Sequence, residues 1–455
     1  MITNPLKNIA TLCLLLAPFT GLLAADAPAP ARKPNIIFIL VDDLGLPGFG
    51  CTGGIYKTPN IDALAATGIR FETCYAAPLC GPSRAMLMTG RYAFRTGMVG
   101  NGGGKNVTME KDGCVAQLMR QAGYATAIAG KWRQLRYFTS KADGTKWGWD
   151  EFLIWGQGDP ADADNAAAKK PKGDGEEHDR YWNPGYNLNG KTLQGAEGKF
   201  GPDLLNDFVL DFIRRNKDKP FFIYYPTPLI HSQLERTPDM PEGGEKQKGM
   251  GKENNLYGQN IKYIDKQIGL LVAELDRWKL RENTLIVVTG DNGSAGGVPT
   301  VNGRKVDGHK GTMLEGGSRV PLIANWPGVT PAGGVRKDLI DFTDMLPTFA
   351  AVAGAPLPAG RVIDGHSFAP QLRGQPGQPR DWAYTQLNDD RYVRDARWKL
   401  TGNGELFDMK DAPYAQIPVP AASPDPEAKA ARAKLQAVLD TLRDDTAKKE
   451  IKQKK

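Results

Sequence analysis

After Asn35, every residue from Ile36 to Val41 is apolar, and the run ends abruptly in Asp42-Asp43. A strand with no polar face has to be covered on both sides, which restricts the chain to folds in which a sheet lies between two layers. Thr284 to Thr289 is a second strand of this kind, and it too ends in polar residues, Gly290-Asp291-Asn292-Gly293. Further strands are expected at Ile69–Cys74, Tyr124–Ala129, Pro220–Pro226 and Arg319–Asn325. Helices fall between them. One starts at Thr58-Pro59-Asn60, with Pro in its first turn, and stops at Gly68. Others are expected at Cys114–Ala122, Asp203–Arg215 and Asp344–Val352. Asn260–Trp278 is an amphipathic helix with Ile261, Ile264, Ile268, Leu271 and Leu275 on one face. Strands alternating with helices predict a large, mostly parallel sheet flanked by helices.

From about Gly360 the pattern shifts. Short strands around Ala383, Tyr392, Lys399 and Leu406, then a charged helix from about Glu427, predict a smaller C-terminal domain with an antiparallel sheet. The expected division is 34–358 and 359–455. Residues 156 to 201 are rich in Gly, Asp, Ala, Lys and Asn and read as a long surface insertion, with regular structure resuming at Pro202. Asp162 and Asp164 lack the Gly and closing Glu of a calcium loop. Trp147, Trp149, Trp155, Tyr181 and Trp182 have two readings: core packing and loop anchoring, or the lining of a sugar site.

The chain has 455 residues, 41% apolar and 24% charged, enough for a large core. Lys7, the apolar stretch Ile9–Leu23 broken by Pro18 and Gly21, and the small residues Ala24, Ala25 and Ala27 predict a signal peptide over 1–25 and a periplasmic or secreted protein. The apolar run is short and interrupted for an anchor helix, Cys13 lies inside it rather than after it, and no later segment is apolar enough to span a membrane. The mature chain keeps Cys51, Cys74, Cys80 and Cys114, among which one disulfide is possible and unassigned. Loss of Lys7 takes the net charge from +7 to +6. That excess suits a polyanionic substrate, but no basic run interleaved with aromatics points to nucleic acid.

In an open α/β sheet, ligands bind beyond the carboxyl ends of the strands. Asp42-Asp43 and Asp291-Asn292 therefore project to one rim, where the carboxylates repel unless something positive lies between them. Three Asp and one Asn are hard oxygen donors, better suited to Ca²⁺ or Mg²⁺ than to zinc. Helix caps and turns are the other reading of these residues.

The run Cys80-Gly81-Pro82-Ser83-Arg84, continuing through Ala85 and Leu87 to Thr89-Gly90-Arg91, resembles the sulfatase signature C-x-P-S-R-A-x-L-x-T-G-R. Gly308-His309-Lys310-Gly311-Thr312, continuing through Leu314-Glu315-Gly316-Gly317 to Arg319-Val320-Pro321, is similar to that family's K-G-T-x-x-E-G-G-x-R-V-P block. Gly130-Lys131-Trp132 resembles the start of its G-K-W-H element, and Arg391 to Asp408 its R-D-x-x-W-K-L…E-L-F-D element. The resemblance implies an alkaline-phosphatase-like α/β sandwich. It implies that a formylglycine-generating or anaerobic sulfatase-maturating enzyme oxidises Cys80 to formylglycine (3-oxoalanine), whose hydrate is the nucleophile. It places Asp42, Asp43, Asp291, Asn292 and the modified Cys80 around one Ca²⁺, with Mg²⁺ less favoured. It gives Arg84 the holding of the formylglycine, Lys131 and Lys310 the sulfate contacts, and His231 the protonation of the leaving alcohol; His309 and Arg133 are read separately as further substrate contacts. Arg133 departs from the pattern, since the family has His there and arginine does not deprotonate in proteins.

The implied function is an exported, calcium-dependent sulfatase acting on a sulfated carbohydrate. A formylglycine-dependent phosphodiester or phosphonate hydrolase remains open, as does a sulfated-glycan binding protein with weakened turnover. A two-zinc phosphatase needs more His ligands than His231, His309 and His366 supply.

Overall fold

In a computed structural model of the chain, the described residues are Met1 and 32–132, 135, 138, 140–155, 180–240 and 256–453. The expected signal peptide with Cys13, the Asp162 and Asp164 pair and Arg133 lie outside them. Residues Met1–Arg32 form one unit and Lys33–Lys455 another. The second unit contains every described strand and helix.

Ten strands make its framework: β1 (Asn35–Val41), β2 (Ile69–Tyr75), β3 (Ala125–Lys131), β4 (Glu151–Trp155), β5 (Asn187–Leu188), β6 (Lys191–Thr192), β7 (Phe221–Thr227), β8 (Thr284–Gly290), β11 (Arg319–Asn325) and β12 (Gly334–Asp341). They form one sheet in the order β12-β2-β11-β8-β1-β7-β3-β4-β5-β6. A separate two-stranded ribbon consists of β9 (Thr300–Val301) and β10 (Arg304–Lys305). The run β8-β1-β7-β3-β4 is parallel throughout, and β11 is antiparallel to both its neighbours.

The unbroken apolar run of β1 is explained by its central place. Ile36, Phe38 and Leu40 enter one apolar cluster, while Ile37, Ile39 and Val41 enter another on the opposite face. That split is the two-residue period of a strand buried on both sides. Helices Pro59–Thr67, Gly201–Arg215 and Leu256–Arg277 contribute Leu64, Val209, Ile264 and Ile268 to the second cluster. Helices Cys80–Thr89, Val115–Gln121 and Met345–Ala353 contribute Leu87, Met119 and Phe349 to the first.

The C-terminal strands β13 (Ala383–Leu387), β14 (Asp390–Arg394), β15 (Trp398–Thr401), β16 (Leu406–Asp408) and β17 (Ile417–Val419) make an antiparallel five-stranded sheet, followed by the helix Pro426–Gln453. Val393, Leu400, Leu406 and Leu435 belong to the same apolar cluster as Phe38 and Leu87, so the small sheet shares a core with the large one.

Most expected elements are present within two residues of their expected ends; strands β4, β9, β10 and β17 were not among the expected elements, and three further features differ. Strand β12 was not expected, because it is an edge strand that pairs only with β2, and Arg336 and Asp338 break its apolar pattern. Strands β5 and β6, two residues each, fall inside the stretch expected to be loop; they are too short to carry a period. That stretch is also not wholly a surface insertion, since Tyr181, Tyr186 and Phe200 are buried in the second cluster. No helix among the described residues is long and apolar enough to cross a membrane, and the four described cysteines are all free thiols.

Candidate active site

The register of the central strands builds the site. Val41 pairs with Gly290 across β1–β8 and with Thr227 across β1–β7, so three chains leave the sheet at one level. Beyond that level come Asp42-Asp43, Asp291-Asn292 and the Pro228–His231 turn. Backbone bonds lock them together: Asp42 N donates to Leu229 O (3.0 Å), Ile230 N to Asp42 O (3.0 Å) and Asp291 N to Val41 O (3.1 Å). Asp43 takes a left-handed backbone (φ 61°) that Asp tolerates better than most residues, and its N–H donates to Asp291 Oδ1 at 2.9 Å.

Two neighbours complete the rim. Cys80 is the first residue of the Cys80–Thr89 helix, just beyond the carboxyl end of β2. Lys131 is the last residue of β3, paired in register with Trp155 of β4. Gly130 before it has φ 127°, and a Cβ there would lie 2.0 Å from Pro226 O, so only glycine lets β3 run this close to β7. Trp132 after it packs on Phe138 and Trp147 with ring centroids 5.0 and 5.4 Å away. The G-K-W triplet is therefore a close approach, a lysine at the rim and an anchor in succession.

Cys80 Sγ lies 3.5 Å from Asp42 Oδ1, 3.6 Å from Asp43 Oδ1 and 3.6 Å from Lys131 Nζ. Lys131 Nζ is 2.5 Å from Asp42 Oδ2, and Lys310 Nζ is 2.7 Å from Asp43 Oδ2. Arg84 donates to Asp291 Oδ2 through Nε (3.0 Å) and Nη2 (2.8 Å), reaches Asp42 Oδ1 at 3.5 Å, and donates to Lys131 O at 3.1 Å. Ligand atoms of Asp42, Asp43, Cys80 and His231 all lie within 4.8 Å of one another. The residues singled out from three separate motifs thus converge on one buried point.

Three carboxylates face three cations here, and the balance is uneven. Burial alone would raise Asp42, but Lys131, His231 and Arg84 outweigh it and hold the carboxyl far below the usual carboxylate range. Burial and the Asp42 charge push Asp291 upward against Arg84. Burial, then Asp291, push the Cys80 thiol well above its ordinary value, so an unmodified Cys80 is a neutral thiol and a poor nucleophile. His231 is lowered to about 4, chiefly by burial; Asp42 opposes this, and Lys131, Lys310 and Arg180 add to it.

Two polar atoms at the rim are buried without a hydrogen-bond partner among the described residues: Asn292 Oδ1 and His231 Nδ1. A buried acceptor is rarely left unmade. Asn292 Nδ2 meanwhile donates to Asp43 Oδ1 at 3.0 Å. Two carboxylates and an orphaned amide oxygen on one rim fit a hard divalent cation.

His309 is exposed, with Nδ1 2.9 Å from Lys310 O, inside its own turn. Of the aromatic residues with two readings, Trp147 and Trp149 are core. Trp155 is core too, in the second cluster, but it also meets the rim: its ring centroid is 6.1 Å from that of His231, with Lys131 Nζ 5.5 Å and Arg180 Cζ 5.2 Å from the same ring. Nothing in the sequence singles out Arg180, which sits in no motif. Trp155 stands among the aromatic residues with two readings, and its place beside Lys131 comes only with the pairing of β3 and β4.

Comparison with known proteins follows the same residues. The sulfatase family model matches residues 34–355. The chain is 33% identical to N-acetylgalactosamine-6-sulfatase of Canis lupus familiaris over 79% of this chain and 69% of that protein. It is 30% identical to arylsulfatase D of Homo sapiens over 89% of this chain and 78% of that one. Among solved structures, Ps i-CgsB superposes with a TM-score of 0.72 at 27% identity, covering 91% of this chain and 93% of that one. A second structure of Ps i-CgsB, in complex with k-i-k-neocarrahexaose, gives a TM-score of 0.71 at the same identity and coverage. Because the matched segment runs from β1 to the end of the Met345–Ala353 helix and contains every strand end that meets at Cys80, the chain belongs to the sulfatase family and is a sulfuric ester hydrolase.

Proposed function

We propose that the chain is an exported enzyme that removes sulfate from a sulfated carbohydrate, with Cys80 acting after conversion to formylglycine beside one Ca²⁺. The observation that carries the reading is Cys80 itself: a buried thiol between two aspartates and a lysine, kept neutral by its surroundings. As a thiol it is badly placed to attack an anionic ester, whereas a hydrated aldehyde at that position has a hydroxyl to attack with and a second one with which to expel the sulfate. The carbohydrate reading is supported by a relative named for N-acetylgalactosamine 6-sulfate and by the oligosaccharide complex of Ps i-CgsB.

Asp42, Asp43, Asp291 and Asn292, with the modified Cys80, would hold the cation. When bound, Ca²⁺ supplies charge neutralisation for the sulfate oxygens and a lower pKa for the attacking hydroxyl. The rest is done by side chains. Lys131 and Lys310 reach the rim from two different elements and are aimed at Asp42 and Asp43 beside Cys80; they take the sulfate oxygens as negative charge builds there. Arg84 pins Asp291 with two bonds and touches Asp42, which fixes the carboxylates and the helix that carries Cys80. His231 gives a proton to the leaving oxygen. Its imidazole has little proton affinity in its own surroundings, and a sulfate ester arriving beside it brings the negative charge that raises it. With Arg133 where the family has His, the proton removed in the second step goes to another group or to water, and Arg133 is assigned to substrate binding together with His309.

The test is the intact mass of the Cys80 peptide from protein made with a maturating enzyme. A loss of about 18 Da against unmodified cysteine, with hydrolysis of 4-nitrophenyl sulfate well ahead of bis(4-nitrophenyl) phosphate, supports the reading. An unmodified thiol in protein that still hydrolyses sulfate esters overturns it. Faster hydrolysis of the phosphodiester turns it into the phosphodiesterase alternative.

A further inference from the structure

Among the described residues, none gives the ring of His231 a hydrogen bond at Nδ1. A histidine with a defined task is usually oriented through the nitrogen it does not use. Here its direction has to come from the backbone that carries it and from the Trp155 ring beside it. On one side that backbone is held by Asp42, through the Leu229 and Ile230 bonds described above. On the other side, three consecutive residues donate side-chain hydrogen bonds to carbonyls of the same loop. Arg180 Nη2 donates to Gln233 O at 3.2 Å, and Trp182 Nε1 to Arg236 O at 2.8 Å. Between them, the Tyr181 hydroxyl lies 2.8 Å from His231 O and 3.2 Å from Pro228 O. Those two carbonyls bracket the turn that His231 N–H closes by donating to Pro228 O at 2.9 Å.

Tyr181 is completely buried, and its ring stacks on Phe200 with centroids 5.9 Å apart. The hydroxyl is therefore held by the core and cannot follow the loop if the loop moves. We propose that Tyr181 is a positioning residue for His231: its hydroxyl, bridging the two carbonyls of the 228–231 turn, sets where the imidazole meets the leaving oxygen. The proposal rests on His231 acting as the leaving-group acid. Arg180 and Trp182 hold the following residues of the loop, further from the ring, and act in the same sense with less leverage.

A purely structural tyrosine would slow every substrate alike. A residue that aims an acid slows most those substrates whose leaving group most needs the proton. The experiment compares kcat/KM for a series of aryl sulfates, from 4-nitrophenyl to 4-methoxyphenyl sulfate, in matured wild type, Tyr181→Phe, His231→Ala and the double variant. General acid catalysis is worth on the order of 10² to 10⁴-fold where the leaving group is poor. His231→Ala should therefore show a steep dependence on the basicity of the leaving phenol. Tyr181→Phe should show an intermediate slope, losing about tenfold more on the 4-methoxyphenyl ester than on the 4-nitrophenyl ester, as a misplacement of well under 1 Å implies. The double variant should be no steeper than His231→Ala alone.

An equal loss across the series in Tyr181→Phe, or a wild-type slope, overturns the positioning role, as does an additive effect in the double variant. A wild-type slope in His231→Ala removes the acid itself, and then fails the function reading on which this one stands. Thermal melting of Tyr181→Phe, read alongside, separates a loosened fold from a misaimed histidine.

Discussion

The Cys80 rim and the cluster around Glu315 are both knots of buried charge, and they are finished differently. Glu315 follows Lys310 by five residues in the same motif, yet its side chain goes elsewhere. Its Oε2 accepts from Tyr75 OH at 2.8 Å and from Arg319 Nη1 at 3.2 Å, and its Oε1 from Arg394 Nη1 at 3.2 Å. Tyr75 and Arg394 are bonded to each other as well. Burial is outweighed there by Arg394, Arg319 and Lys399, which together keep the carboxyl below its usual range. Among the described residues, none of these four side chains leaves a buried polar atom unmade, whereas the rim leaves Asn292 Oδ1 and His231 Nδ1 open. The charge cluster that joins β2 and β11 to β14 closes on itself; the rim keeps acceptors and cations in reserve, as the function proposed above requires.

The largest effect that tests this contrast is Cys80→Ala. It should cut kcat/KM on 4-nitrophenyl sulfate by about 10⁴-fold or more, while a melting curve stays close to wild type, because the rim does not hold the fold together. Glu315→Gln should do the reverse. Removing one partner of a buried cluster costs about 3–5 kcal/mol, to be read as a lower urea midpoint, with kcat/KM per folded molecule little changed. A Glu315→Gln protein of normal stability and no activity would break the comparison, since it would make Glu315 part of the catalytic centre. Third, chelation with EGTA should abolish turnover and added Ca²⁺ restore it. Asn292→Ala should raise the Ca²⁺ concentration needed by about 10- to 100-fold, measured by titrating activity, with a loss in melting limited to the Nδ2 bonds to Asp43 Oδ1 and Gly293 O that the variant also removes.

The smallest effect sits at the edge of the closed cluster. Lys399 donates to Met313 O (2.6 Å) and Gln416 Oε1 (2.9 Å) and is lowered to about 8 by burial. A lysine lowered in the folded state binds fewer protons there than in the unfolded chain between pH 8 and its ordinary value of 10.5. Stability should therefore rise with pH across that window. Lys399→Met should flatten the rise in urea unfolding curves taken at pH 8, 9 and 10.

Much of this was legible in the sequence, and the reasons are physical. Strand β1 was readable because a central strand buried on both faces leaves no polar residue to blur it. Strand β12 was not, because an edge strand takes charge on its open side. The rim residues were readable because Asp42-Asp43 and Asp291-Asn292 abut strands whose carboxyl ends must share one side, and because Cys80, Lys131 and Lys310 sit in long motifs. The same motif also contained Glu315, and nothing in its spacing said that it would turn away from Lys310. Tyr181 and Arg180 were hidden differently: they act on a loop 50 residues away through backbone carbonyls, which have no identity in a sequence.

The family match ends at residue 355, yet the loop that presents Lys310 is suspended from beyond it. Asp307 N donates to Pro413 O at 3.0 Å, and Lys399 Nζ holds Met313 O from the far side. One of the two lysines of the Cys80 rim is thus hung, like a lamp on a bracket, from the small C-terminal sheet. A chain cut short before β13 would lose the bracket along with the sheet, and changes in that tail would move Lys310 relative to Asp43 without altering a single residue of the matched segment.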